Sequence, residues 1–230
     1  MQRPLKSDVD PAASRGMRRW FFLATAVFHA LLFAYVLLRI QPALDYARSG
    51  PLFFRNRAFL RSYLEYPGGP LDLAATALAQ FGFSNQAGAL CFTLLAGLVF
   101  LVVLSGWRSI VNRRAAMEPF VAAFLLLLAR QENHVQSLTA GLGVVLSWGM
   151  AVAYSRLPGR LGWWRSVFPV LASPAIFIVG GPWPCALFLL GVLLFETPPT
   201  RRWAVALVGL VAGISAVLAA AGKPDLAKFF

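Results

Sequence analysis

The stretch "FFLATAVFHALLFAYVLL", residues 21–38, constrains this chain more than any other feature. It carries no charge over eighteen residues, close to the ~20 that an α-helix needs to cross a bilayer. It is also too long for an ordinary signal-peptide core, and no small-residue cleavage site follows it, so a retained first helix is expected. A second run, Gly88–Trp107, repeats the pattern. In hydrocarbon every backbone N–H and C=O must find a partner inside the segment, so runs of this kind fold as helices.

Seven such segments can be drawn: Trp20–Leu38, Gly88–Trp107, Pro119–Ala129, Ser137–Tyr154, Val167–Val179, Trp183–Phe195 and Trp203–Ala221. The third, fifth and sixth are shorter than a full crossing, and such lengths suit tilted, half-spanning or re-entrant helices. The expected fold is therefore all-α, a polytopic integral membrane protein with about six to seven transmembrane helices. Only 13% of the 230 residues are charged, about half the share in soluble domains, and the mean hydropathy is +0.67. A single membrane domain over residues 1–230 is the expected organisation, with a polar tail at 1–19 and a short one at 222–230.

The formal net charge of +12 comes from 21 Lys and Arg against 9 Asp and Glu. On a soluble domain this excess would point to nucleic acid. Here the cations flank apolar runs, so anionic lipid head groups are the expected partners and nucleic acid is not. With the N-terminus inside, the cytoplasmic side collects thirteen cations, from Arg3, Lys6, Arg15, Arg18 and Arg19 through Arg108, Arg113 and Arg114 to Arg156, Arg160, Arg165, Arg201 and Arg202. The outer side collects eight, and five of them lie in the long first outer segment. The short connections obey the positive-inside rule. A bacterial inner-membrane protein with its N-terminus cytoplasmic and its C-terminus outside is expected. Six of the seven tryptophans fall at segment ends, as an aromatic belt requires; Trp148 does not.

Residues 40–87 form the outer-face segment. "PLFFRNRAFLRSYLEY" sets Phe53, Phe54, Phe59 and Tyr63 on one stripe and Arg55, Arg57 and Arg61 on another, the pattern of a helix lying in the interface. Pro67, Gly68, Gly69 and Pro70 then force a turn. "LDLAATALAQFGF" follows as a second short helix, with Asp72 in its first turn favouring the helix dipole. An interfacial helical hairpin lying on the membrane is the expectation, with Arg55, Arg57, Arg61 and Arg130 as lipid or partner contacts.

"YLEYPGGPLDLAATALAQFGFSNQAGA", residues 63–89, resembles the signature of a family of uncharacterised bacterial multi-pass membrane proteins. In that family an aromatic–Pro–Gly–Gly turn in the first outer loop opens an interfacial helix that ends in a Gln and aromatics. "RQENHVQSLTAGLGVVLS" and "GGPWPCALFLLGVLLFE", residues 130–147 and 180–196, resemble two further features in the same order. The resemblance implies topology rather than activity.

Reactive groups are few. The polar knot "RQENHVQ", residues 130–136, offers Glu132 or His134 as a general base at the outer face, with Arg130 to bind a phosphate-bearing lipid. The same knot equally makes a polar turn between two helices, and that is the favoured reading. Glu65 and Asp72 flank the glycine turn without a paired-carboxylate spacing. His29 reads as a hydrogen-bonded core residue, and Cys91 and Cys185 as small buried side chains without metal spacing. No metal or cofactor is expected. Gly209 and Gly213 fit GxxxG, a docking surface for another membrane chain. Two functions follow: a non-catalytic accessory or scaffold subunit of a membrane assembly, or, as the alternative, a glycosyltransferase-like enzyme acting on a lipid-linked substrate at the outer face.

Overall fold

The computed structural model describes residues 11–49, 53–54, 56–111, 120–123, 125, 134–157 and 162–195. Among these residues the chain is helical with no strand. The elements are α1 (Pro11–Tyr35), a π-helical turn (Val36–Ile40), α2 (Pro42–Ser49), α3 (Arg57–Leu64), α4 (Gly69–Ala79), a 3₁₀ turn (Gln80–Phe83) and α5 (Asn85–Val111). They are followed by α6 (His134–Ser155), α7 (Gly162–Gly180) and α8 (Pro182–Phe195). Three stretches are long and apolar enough to cross a membrane: Arg19–Ile40, Asn85–Ser109 and Leu138–Ser155. Two shorter apolar helices run over Val167–Gly180 and Pro182–Phe195. The segment proposed at Pro119–Ala129 is described only in part, and that at Trp203–Ala221 lies outside the described residues.

Helix association in lipid gains little from the hydrophobic effect, so it depends on close packing. Rings set against glycines supply it here. On one side α1 runs antiparallel to α5, with Phe21 and Phe100 stacked at 6.3 Å and Phe120 edge-on to Phe100 at 4.9 Å. His29 lies between the edges of Phe28 and Phe100, opposite Gly97. Its Nδ1 donates to the Thr25 carbonyl at 2.9 Å, so the core assignment describes its surroundings well. That bond leaves Nε2 as a buried acceptor without a donor.

Trp148, the tryptophan that did not fit the belt, sits on α6 with its indole N–H pressed against Gly106 of α5 and its ring edge facing Gly191 of α8. A side chain at Gly106 would occupy the indole's position. Trp148 is thus a packing knob among three helices rather than an interfacial anchor.

The second side is the trio α6, α7 and α8. Gly143 of α6 lies against Trp183 and Pro184 of α8, and Ala151 lies against Gly191. These contacts keep a constant offset of forty residues (183 − 143 and 191 − 151), so α6 and α8 run parallel. Their ends at Ser155 and Phe195 are then level, but α8 begins at Pro182, opposite Leu142. At 1.5 Å per residue, α8 falls short of the other end of α6 by about 12 Å. Proline at 169 and 174 does not break α7. Ser173 Oγ donates to the Pro169 carbonyl, and the Cys185 thiol donates to the Ser173 carbonyl at 3.5 Å, tying α8 to α7.

The shortfall at the α7–α8 tip is where α4 sits. The N–H of Gly68 donates to the Ile178 carbonyl at 3.0 Å, and the backbones of Gly68 and Gly181 meet. Both residues have positive φ, +94° and +84°, a region open to glycine at little cost. From this seat α4 packs against α6 and α7, while Ala75 and Ala79 join the core of Val36, Ala89 and Phe92 at the ends of α1 and α5. A helix–turn–helix is present as the sequence indicates. Its second helix, however, does not simply lie on a membrane surface: Leu71, Ala75, Thr76 and Ala79 are buried in the protein. The physical reason is the room left above the short hairpin.

Candidate functional site

The end of the bundle that carries α4 also carries the candidate site. Its first element is α3. The Asn56 side chain accepts from the Phe59 N–H at 2.7 Å and caps the helix, which fixes where α3 starts. From there an aromatic row runs through Phe53, Phe59, Tyr63 and Tyr66, with neighbouring centroids 5.0–6.3 Å apart. Arg57 is exposed, and Arg61 meets Glu65 at 3.3 Å across one helical turn. With the Arg61 side chain 82% exposed, this pair stabilises by no more than about 1 kcal/mol.

Both acids that flank the glycine turn are engaged. Glu65 faces Arg61, and Asp72 accepts from the Tyr66 hydroxyl at 2.9 Å. Burial and then the adjacent Asp72 carboxylate push the Tyr66 phenol well above its ordinary range. Tyr63 and Thr76 hydroxyls lie 3.4 Å apart, a second link between α3 and α4.

At the C-terminal end of α4 is a groove of about 470 Å³ lined by Tyr46, Phe53, Ala77, Gln80, Phe81 and Phe83. Its two polar side chains satisfy one another: Tyr46 donates to Gln80 Oε1 at 2.8 Å, and Gln80 Nε2 donates to the Thr76 carbonyl at 3.3 Å. Asn85 Oδ1 accepts from the Ala43 N–H at 2.9 Å, holding α2 against the start of α5. Sequence reasoning noted the Gln and aromatics at 80–83 but missed Tyr46 and Asn85. The only signal for these is a polar residue just beyond each apolar run.

At the opposite end, cations assigned to the inner side gather. Arg108 lies 6.0 Å over the Phe21 ring, Arg165 lies 5.5 Å over Tyr154, and Arg156 Nη2 donates to Ser105 Oγ at 2.7 Å. Arg39, Arg57 and Arg61 lie at the α4 end.

Of the proposed site residues, Pro67, Gly68, Gly69 and Pro70 form the seated turn, and Arg57 and Arg61 share their end of the molecule. His134 is the first residue of α6, and its side chain is outside the described part. Arg55, Arg130, Glu132, Gly209 and Gly213 lie outside the described residues. Among the described residues no three His, Cys, Asp or Glu side chains group as a metal site.

No curated protein and no solved structure matches the chain. A family does, across residues 16–228, and therefore over the described helices from residue 16 of α1 onward. The chain belongs to the family of unknown function DUF6057.

Proposed function

We propose that this chain is a non-catalytic multi-pass protein of the bacterial inner membrane, an accessory or scaffold subunit of a larger membrane assembly. In this reading it has six to seven crossings, a cytoplasmic N-terminus and an outer C-terminus. The observation that carries it is the state of the acids at the α4 end. Glu65 pairs with Arg61 and Asp72 accepts from the Tyr66 hydroxyl, contacts that give both acids a structural role. A second observation supports a partner. Only 11% of the best apolar window of α1 is buried, against 44% in α5. Phe22, Leu23, Val27 and Leu31 of α1 and Leu38 of the π-helical turn that follows are exposed.

Photocrosslinking tests this. A photoreactive residue placed at Leu31 or Leu38 in native membranes is expected to capture one other membrane chain at fixed stoichiometry. Crosslinks to lipid alone at both positions would overturn the reading. The enzyme reading has a separate test. Replacing Glu132 and His134 together by Ala, in a folded protein, leaves envelope glycan synthesis unchanged if the chain is a scaffold and abolishes it if these residues are catalytic.

A further inference from the structure

The groove at the C-terminal end of α4 lies between the ends of two long apolar helices. Tyr46 follows the Arg19–Ile40 stretch by six residues, and Phe81 and Phe83 precede the Asn85–Ser109 stretch by four and two. That places it at the boundary between acyl chains and head groups, where lipid is the surrounding medium. Its interior offers no unmet hydrogen bond to a polar ligand, because Tyr46 and Gln80 are bonded to each other. Its rim is bare: Phe83 is 69% exposed, and Leu44 and Phe81 stand out beside it. Phe53 lines the groove and packs edge-on to Phe59 at 5.6 Å, which links the groove to α3, the helix that carries Arg57. Arg57 stands four residues beyond Phe53, within ~14 Å along even a fully extended chain. Among the described residues Arg57 has no ion pair, whereas Arg61 faces Glu65.

We infer that this groove seats one acyl chain of an anionic phospholipid, with its head group held near Arg57. A volume of about 470 Å³ falls within the ~300–1,000 Å³ of small-molecule sites. An unpaired cation at the interface adds selectivity for a negative head group. The inference goes beyond the scaffold reading and does not depend on any partner chain.

The full chain, in nanodiscs containing a diazirine-tagged phosphatidylglycerol, provides the test. Labelling is expected in the peptides carrying Tyr46, Phe53 and Ala77–Phe83. Ala77→Trp fills the groove from one wall, and Phe81→Glu puts a charge at its exposed rim. Each is expected to lower labelling there about tenfold, while labelling along α1 is unchanged. Arg57→Gln is expected to lower the preference for phosphatidylglycerol over phosphatidylethanolamine about fivefold. Circular dichroism and the thermal transition verify that a variant is folded. Undiminished groove labelling in a folded Ala77→Trp or Phe81→Glu protein overturns the seat. Equal labelling by the two phospholipids in the wild-type protein overturns the head-group assignment.

Discussion

The α1–α5 contact and the α6–α8 contact are built from the same materials and differ in tolerance. In both, rings lie against glycines. Between α1 and α5, a Cβ at Gly97 would stand 3.6 Å from His29, an ordinary contact, and phenylalanine rings pack there with leucine and valine side chains. Between α6 and α8, a Cβ at Gly191 would come within 2.6 Å of the Ala151 Cβ, and one at Gly143 within 2.8 Å of Trp183. The first pair is held by side chains with room to shift. The second is held by a fit in which a neighbouring Cβ has nowhere to go. A helix mostly open to its surroundings is thus joined to a trio whose spacing is fixed.

Substitutions can break that contrast. Gly191→Ala is expected to have the largest effect, lowering stability by about 1–3 kcal/mol, the usual cost of overpacking. The midpoint of thermal unfolding in mild detergent reads it. Gly181→Ala follows, at about 1–2 kcal/mol for a side chain at positive φ, and it should also unseat α4. Faster protease cleavage between Leu64 and Ala79 would report that loss. Gly97→Ala carries the opposite sign, with about 0.5–1 kcal/mol gained from helix propensity. A loss at Gly97 equal to that at Gly191 would falsify the distinction between the two interfaces.

The smallest effect belongs to Tyr66→Phe, about 0.5–1.5 kcal/mol for one hydrogen bond, with the lower part expected at a partly exposed site. Its pH dependence has a definite sign. A phenol raised on folding stabilises fully below its unfolded value of ~10, and that contribution is lost as the pH rises toward the folded value. The wild-type advantage over Tyr66→Phe should therefore be flat through neutral pH and shrink only in strong alkali, which unfolding midpoints measured along that range will check.

Much of this architecture is legible in the residues, for identifiable reasons. Apolar runs announce α1, α5 and α6 because the bilayer sets their length. Asn56, Arg57 and Pro67–Pro70 mark the start of α3 and the turn before α4 because caps, charge stripes and glycine–proline pairs act locally. The seating of that turn on Gly181 is not legible. It is a contact of backbone with backbone, and neither glycine carries a side chain whose complement could be sought elsewhere. Trp148 stands out from the belt in the sequence, yet what it packs against is not legible there, because the glycines opposite it lie on other helices. The groove was hidden too, since Tyr46 and Gln80 come together only when α2 folds back.

The bond from Gly68 to Ile178 also has a meaning in time. The ribosome delivers the glycine turn more than a hundred residues before the carbonyl it needs. During synthesis the turn and α4 must wait, unseated, until α7 has entered the bundle and the chain has doubled back at Gly181. Closing that contact is therefore a late event in assembly, and it joins the α3–α4 turn to the α7–α8 hairpin only in chains that have made both.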